Sequence, residues 1–176
     1  SCAELIAHTY HHSFLQHAST MTATARAGNV IGGGDWANDR IVPDCIRAWS
    51  TDATVTVRRP RSTRPWQHVL EPLSGYLWLG ACLSRGKEGL DGEAFNFGPD
   101  AQQDMTVAGL IDSMADHWPN AAWETEPTRP ITHPETMLLH LNCDKARDEL
   151  EWHGVLDISE AITHTMAWYQ CWHHGR

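Results

Sequence analysis

From Leu70 to Leu83 the chain is apolar on almost every side, interrupted only by Glu71, Ser74 and a few small residues. Pro72 falls in what would be a first helical turn, where its missing N–H removes no bond. The pattern therefore predicts a helix buried all round, with Gly75 and Gly80 letting a neighbour come close. Such a helix needs cover on more than one side, which requires a layered fold. With 176 residues and 41% hydrophobic composition, the chain is long enough for one core and short for two ordinary domains.

Immediately before this segment the charge reverses. Arg58, Arg59, Arg61 and Arg64 fall within seven residues of a protein whose formal net charge is -9. Planar guanidinium groups match phosphate oxygens bidentately, so the cluster points to an anionic ligand; taken alone, it fits a solvated charge run equally well. No extended basic stripe accompanies it, which argues against nucleic acid as a partner.

Periodicity outlines the rest. Residues 1 to 17 read as the end of a helix, with Leu5, Ile6, Tyr10 and Phe14 on one line, and residues 22 to 27 read as a strand. A helix is expected from Ile41 to Trp49, and a short strand at Val55 and Val57. Another strand runs from Glu93 to Phe97, then a helix capped by Thr106 with Val107, Leu110, Ile111, Met114 and Trp118 inward. Ala121 to Glu124 and Met137 to Leu141 are further candidate strands around a proline-containing loop from Thr125 to Thr136. Asn142 starts a helix to Leu150, and Asp157 with Glu160 forms a capping box for the last one. The class is α/β or α+β, rich in helix.

Five cysteines without C-x-x-C spacing suit a reducing compartment. No apolar run approaches a membrane span and the first residues lack a signal-peptide pattern, so a cytoplasmic location without membrane attachment is expected. His8 and His12 stand at i, i+4 spacing with His11 beside them, but no acidic or cysteine partner is adjacent. Surface histidines, and no metal, are the expectation.

Two long motifs carry a resemblance. Arg26-Ala27-Gly28-Asn29-Val30-Ile31-Gly32-Gly33-Gly34-Asp35-Trp36-Ala37, continued by Asp39-Arg40-Ile41-Val42-Pro43-Asp44, is followed by the arginine stretch through Tyr76 and then by Phe95-Asn96-Phe97-Gly98-Pro99. In this order they resemble the CDP-glucose 4,6-dehydratase family of the extended short-chain dehydrogenase/reductases. The similarity covers essentially the whole chain and corresponds to the C-terminal part of that family. The implied fold is α/β, a helix-rich substrate domain plus strands of an incomplete Rossmann sheet. The Gly-rich dinucleotide fingerprint and the Tyr-x-x-x-Lys catalytic pair of the family do not occur here, since Phe14, Gly80 and His173 follow the three tyrosines at that spacing. The chain thus reads as a fragment, inactive alone, with no catalytic residue of its own.

The resemblance also implies roles. Asn29 would meet the nucleotide-sugar diphosphate, although an asparagine satisfying a tight turn explains it too. Arg64 would pair with the diphosphate, with Trp66 packing on sugar or base. His68 would donate to phosphate or ribose, or else be a satisfied core histidine. Arg40 and Ile41, at a helix start, would hold the nucleotide. Arg58 would face phosphates or water, and only one of Arg58 and Arg59 would point inward if both lie in a strand. Glu135, with His133 in a loop that resembles a family segment but departs from it over Pro134-Glu135-Thr136, would contact the sugar. Ala27 would lie near the nicotinamide of NAD, which the intact enzyme would hold mainly through other residues. Asp35, Asp39 and Glu71 receive no catalytic role, Glu71 being explained by a helix's first turn. The expected partner is CDP-glucose, and the intact enzyme is expected to be a homo-oligomer; the alternative readings are another nucleotide-sugar epimerase or decarboxylase of the same superfamily, or a non-catalytic nucleotide-sugar-binding module.

Overall fold

The computed structural model describes residues 2–99, 105–126 and 141–175. The sequence-predicted strand at Met137 to Leu141 and the candidate residues His133 and Glu135 lie outside the described residues, Leu141 itself excepted. The chain opens with α1 (Cys2–Tyr10), which passes directly into a π-helical turn (His11–Leu15). Then follow β1 (Ala23–Ala27), β2 (Val30–Ile31), α2 (Ile41–Trp49), β3 (Val55–Val57), β4 (Thr63–Arg64), β5 (Gln67–His68) and α3 (Leu70–Ser84). β6 (Glu93–Phe97), β7 (Met105–Thr106), α4 (Val107–Ala115), β8 (Trp123–Thr125), α5 (Asp144–Leu150) and α6 (Ile158–His173) complete the order.

The strands pair across long stretches of chain. β1 runs parallel to β6 with Ala23 opposite Glu93 and Ala27 opposite Phe97. β2 lies parallel to β5, and β3 parallel to β8, while β4 and β7 are antiparallel. Parallel pairs need a crossover between them, and helices supply it: α2 and α3 lie between β1 and β6 in sequence. The α/β class expected from the sequence holds.

Buried side chains gather in two clusters. The larger joins α2, β3, α4 and α6, with Ile46, Leu110, Ile111, Met166 and Tyr169 fully enclosed. The smaller joins α3, β6 and α5 around Phe95, Phe97, Leu150 and Trp152. Gln67 crosses the seam, its side-chain amide donating to the Phe97 carbonyl at 2.9 Å. Helix starts follow the sequence. Thr106 accepts from the Gly109 N–H at 3.0 Å, and Asp157 and Glu160 form the full capping box of α6.

α3 departs from expectation. It has the predicted position, but only one stripe is buried: Pro72, Gly75, Leu79 and Cys82, with Glu71. Leu70, Leu73, Leu77 and Trp78 are exposed, Leu77 to 77%. Among the described residues this helix packs chiefly on β5, β6 and α5, so a sequence apolar all round acquires a single contact side. Gly75 does serve close approach, since a Cβ there would sit 2.2 Å from Phe97 Cδ1, whereas Gly80 meets nothing within 4 Å. Glu71 also differs. It does not cap its own helix; its carboxylate accepts from the Val155 and Leu156 N–H groups at 2.8 and 3.0 Å, tying α3 to the approach to α6.

Candidate functional site

The site is built on the loop from Asn29 to Arg40, where β1 and β2 give way to α2. Ala27 ends β1 beside Phe97, and Asn29 then presents its carbonyl to the Gln67 N–H at 2.9 Å. That bond and the Val69 N–H to the Ile31 carbonyl, at 2.8 Å, hold β5 against β2. Asn29, in the bend between β1 and β2, and His68, at the end of β5, are thereby fixed in place.

His68 is buried. Its Nδ1 accepts from the Leu70 N–H at 3.3 Å, so the neutral ring carries its proton on Nε2 and can only donate there. Burial lowers its pKa below the ordinary 6.5; the His164 ring 5.9 Å away adds to this, and the Glu71 charge opposes it. The result is a neutral donor at physiological pH.

The glycine loop is locked from α6, a contribution that sequence reading missed. A Cβ on Gly33 would fall 2.1 Å from Trp168 Cγ, so the indole lies directly on the backbone there. Tyr169 donates its hydroxyl to the Asp35 carbonyl at 2.7 Å, and Trp36 packs at 4.5 Å from Trp172 and 5.3 Å from Tyr169, centroid to centroid. His164, Trp168 and Trp172 recur every four residues along α6, which is the signal that could have flagged them. From α2, Arg47 donates to the Trp36 and Ala37 carbonyls at 3.0 and 3.2 Å.

The arginines separate into distinct settings. Arg40 precedes α2 in an extended conformation and pairs with Asp35 at 3.2 Å; Ile41 opens the helix, whose first N–H groups receive no side-chain cap. Arg58 lies 3.7 Å from Asp39 with both side chains largely in water. It follows β3 rather than lying in it, as does Arg59, so strand alternation does not sort the two. Arg64, half-buried on β4, donates to the Thr63 carbonyl at 2.9 Å. Trp66 corrects the sequence reading: it is core, its indole N–H donating to the Met105 carbonyl at 3.1 Å, and its burial leaves no face for sugar or base. Asn29 thus begins the loop and Arg40 and Ile41 end it at α2, while His68 pairs opposite Ile31, Arg58 meets the loop's Asp39, and Arg64 lies on a strand just before β5. Among the described residues no group of three or more His, Cys, Asp or Glu side chains could hold a metal ion.

The chain is 40% identical over 182 residues to the CDP-glucose 4,6-dehydratase of Salmonella typhimurium, a match spanning 99% of this chain and 49% of that protein. The chain is a relative of CDP-glucose 4,6-dehydratase. It spans about half the length of that curated relative. No family model matches it. Its fold resembles a UDP-glucose 4-epimerase from Stenotrophomonas maltophila solved with NAD and formylated UDP-arabinopyranose, with a TM-score of 0.76 at 15% identity, covering 98% of this chain and 55% of that one. A dTDP-glucose 4,6-dehydratase from Bacillus anthracis, solved with NAD, gives 0.72 at 17% identity, covering 96% and 49%. An epimerase from Methanothermobacter thermautotrophicus gives 0.74 at 22% identity over 96% and 48%. The fold is therefore the one these epimerase and dehydratase structures share, and this chain covers about half of each of them.

Proposed function

We propose that this chain is the nucleotide-sugar-binding, C-terminal portion of a CDP-glucose 4,6-dehydratase. The observation that carries the reading is the 40% identity to such an enzyme along nearly every residue of this chain. The placement of Asn29 just past β1 and of His68 at the end of β5 supports it. An amide and a neutral imidazole donor at a strand's C-terminal end suit a diphosphate and its attached ribose, with Arg64 supplying a fixed positive charge. Arg40 and the uncapped start of α2 add donors on the nucleotide side.

In this reading the intact enzyme converts CDP-glucose to CDP-4-keto-6-deoxyglucose. The sugar's C4 hydroxyl is oxidised, the C5 proton acidified by the new ketone leaves with the C6 hydroxyl as water, and hydride and a proton return to C6 and C5. NAD, when bound, supplies the hydride acceptor and donor for this sequence. The described residues do not make a complete site for it: Ala27 stands at a strand end, and the 176 residues contain neither a dinucleotide fingerprint nor a Tyr-x-x-x-Lys pair. Their part is to bind and orient the nucleotide-sugar, and the chain alone has no dehydratase turnover. A cytoplasmic, homo-oligomeric intact enzyme belongs to the same proposal.

Calorimetric titration of the chain with CDP-glucose tests it. Arg64→Ala should weaken binding by roughly one to two orders of magnitude, the loss of one charge-assisted contact, and Arg64→Lys should recover only part. No CDP-glucose binding by the folded chain, unchanged affinity in Arg64→Ala, or 4-keto product formed by the chain with NAD would each overturn it.

A further inference from the structure

At the junction of α1 and the π-helical turn, the Nε2 atoms of His8 and His12 face each other 3.2 Å apart, with both rings exposed. The ring centroids lie 4.4 Å apart with planes inclined at 61°, so the two imidazoles sit edge to face on one side of the helix. A tetrahedral ion bound to two imidazoles at ordinary zinc–nitrogen lengths separates the nitrogens by about 3.3 Å. The observed spacing matches that of two ligands on one cation. We propose that His8 and His12 form a bidentate site for a borderline divalent cation of the Zn2+, Ni2+ or Cu2+ class, with water completing the coordination.

The turn that carries the pair is already anchored. His11, between them in sequence and buried, holds Thr22 Oγ1 at 3.1 Å through Nδ1 and lies 3.7 Å from Asp91. A Cβ on Gly92 would sit 2.7 Å from its Nε2, so the ring is seated closely on the β1–β6 side of the molecule. Fixing His11 restrains the backbone of its neighbour His12, which lowers the ordering cost of chelation. Glu4, one turn before His8, is held by Arg26 at 2.9 Å, leaving the two imidazoles as the protein ligands. Hard oxygen-seeking cations have no carboxylate here and are excluded by ligand type. A bound ion would staple the last turn of α1 to the π-helical turn, where the i to i+4 bonding pattern gives way.

The untagged 176-residue chain is titrated with Zn2+, Ni2+ and Mg2+ and compared with His8→Gln, His12→Gln and the paired His173→Gln, His174→Gln variant. Expected are binding of Zn2+ and Ni2+ but not Mg2+, and a loss of roughly a hundredfold in each of the first two variants as chelation becomes single-ligand binding. The control variant should keep wild-type affinity. Amide exchange over residues 8 to 12 should slow with Zn2+ in the wild type alone, a readout that separates this site from the other ten histidines. Wild-type affinity in His8→Gln or His12→Gln, equal loss in the control, or unchanged exchange over residues 8 to 12 would overturn the proposal.

Discussion

His68 is polar, buried and neutral, and each of these has a price in proton binding. In the unfolded chain it takes up a proton as the pH falls through the ordinary 6.5, while burial in the folded chain resists that uptake. Stability tied to the neutral ring is therefore complete above 6.5 and declines as the pH falls towards the lowered folded value. Melting midpoints measured between about pH 7.5 and 5.5 should drop more steeply in the wild type than in His68→Gln; parallel curves would remove the neutral donor from the site. Cys45 is perturbed in the opposite sense. Burial first, and the Asp44 charge second, push its thiol up to about 12, so it is inert as a nucleophile. Of the five thiols, the exposed Cys2 and Cys171 should react with a thiol reagent in the native chain, and all five after denaturation.

At the scale of elements, α6 is both a core helix and the lock of the glycine loop. Gly33→Ala would drive a methyl into the Trp168 indole, and overpacking of this kind costs about 1–3 kcal/mol. Chemical denaturation should register that loss, and Gly33→Ala, Trp168→Ala should recover part of it; a stable Gly33→Ala variant would show that the loop and α6 are not in contact. Much of this architecture was legible in sequence. The capping box of α6, the Thr106 cap, the Glu93–Phe97 strand and the proline in the first turn of α3 are local, and local chemistry writes them. What was not legible is pairwise and distant. Trp66 looked like a ligand contact because it neighbours the arginines, but the Met105 carbonyl that claims its N–H lies 39 residues away. Glu71 likewise read as a helix-start carboxylate, and its two partners lie beyond residue 150. Neither spacing nor periodicity encodes such pairs.

At the scale of the whole molecule, apolar faces are exposed among the described residues. α1 leaves Leu5, Ile6 and Tyr10, and the π-helical turn Phe14, more than half exposed; α1 buries none of its own residues, and α3 leaves the line of Leu70, Leu73 and Leu77 in water. Contiguous exposure of this kind favours association. Sedimentation velocity of the chain should show a coefficient that rises with concentration, and Leu5→Glu with Leu77→Glu should suppress the rise; a sharp monomer at all concentrations would count against it. One hydrogen bond spans much of the chain, the hydroxyl of Tyr169 on the Asp35 carbonyl, 134 residues apart. On a ribosome, the loop that carries Asn29 emerges well before α6, the helix that shapes it. The loop must therefore wait unsupported until that helix has been made, and the proposed binding function cannot precede it.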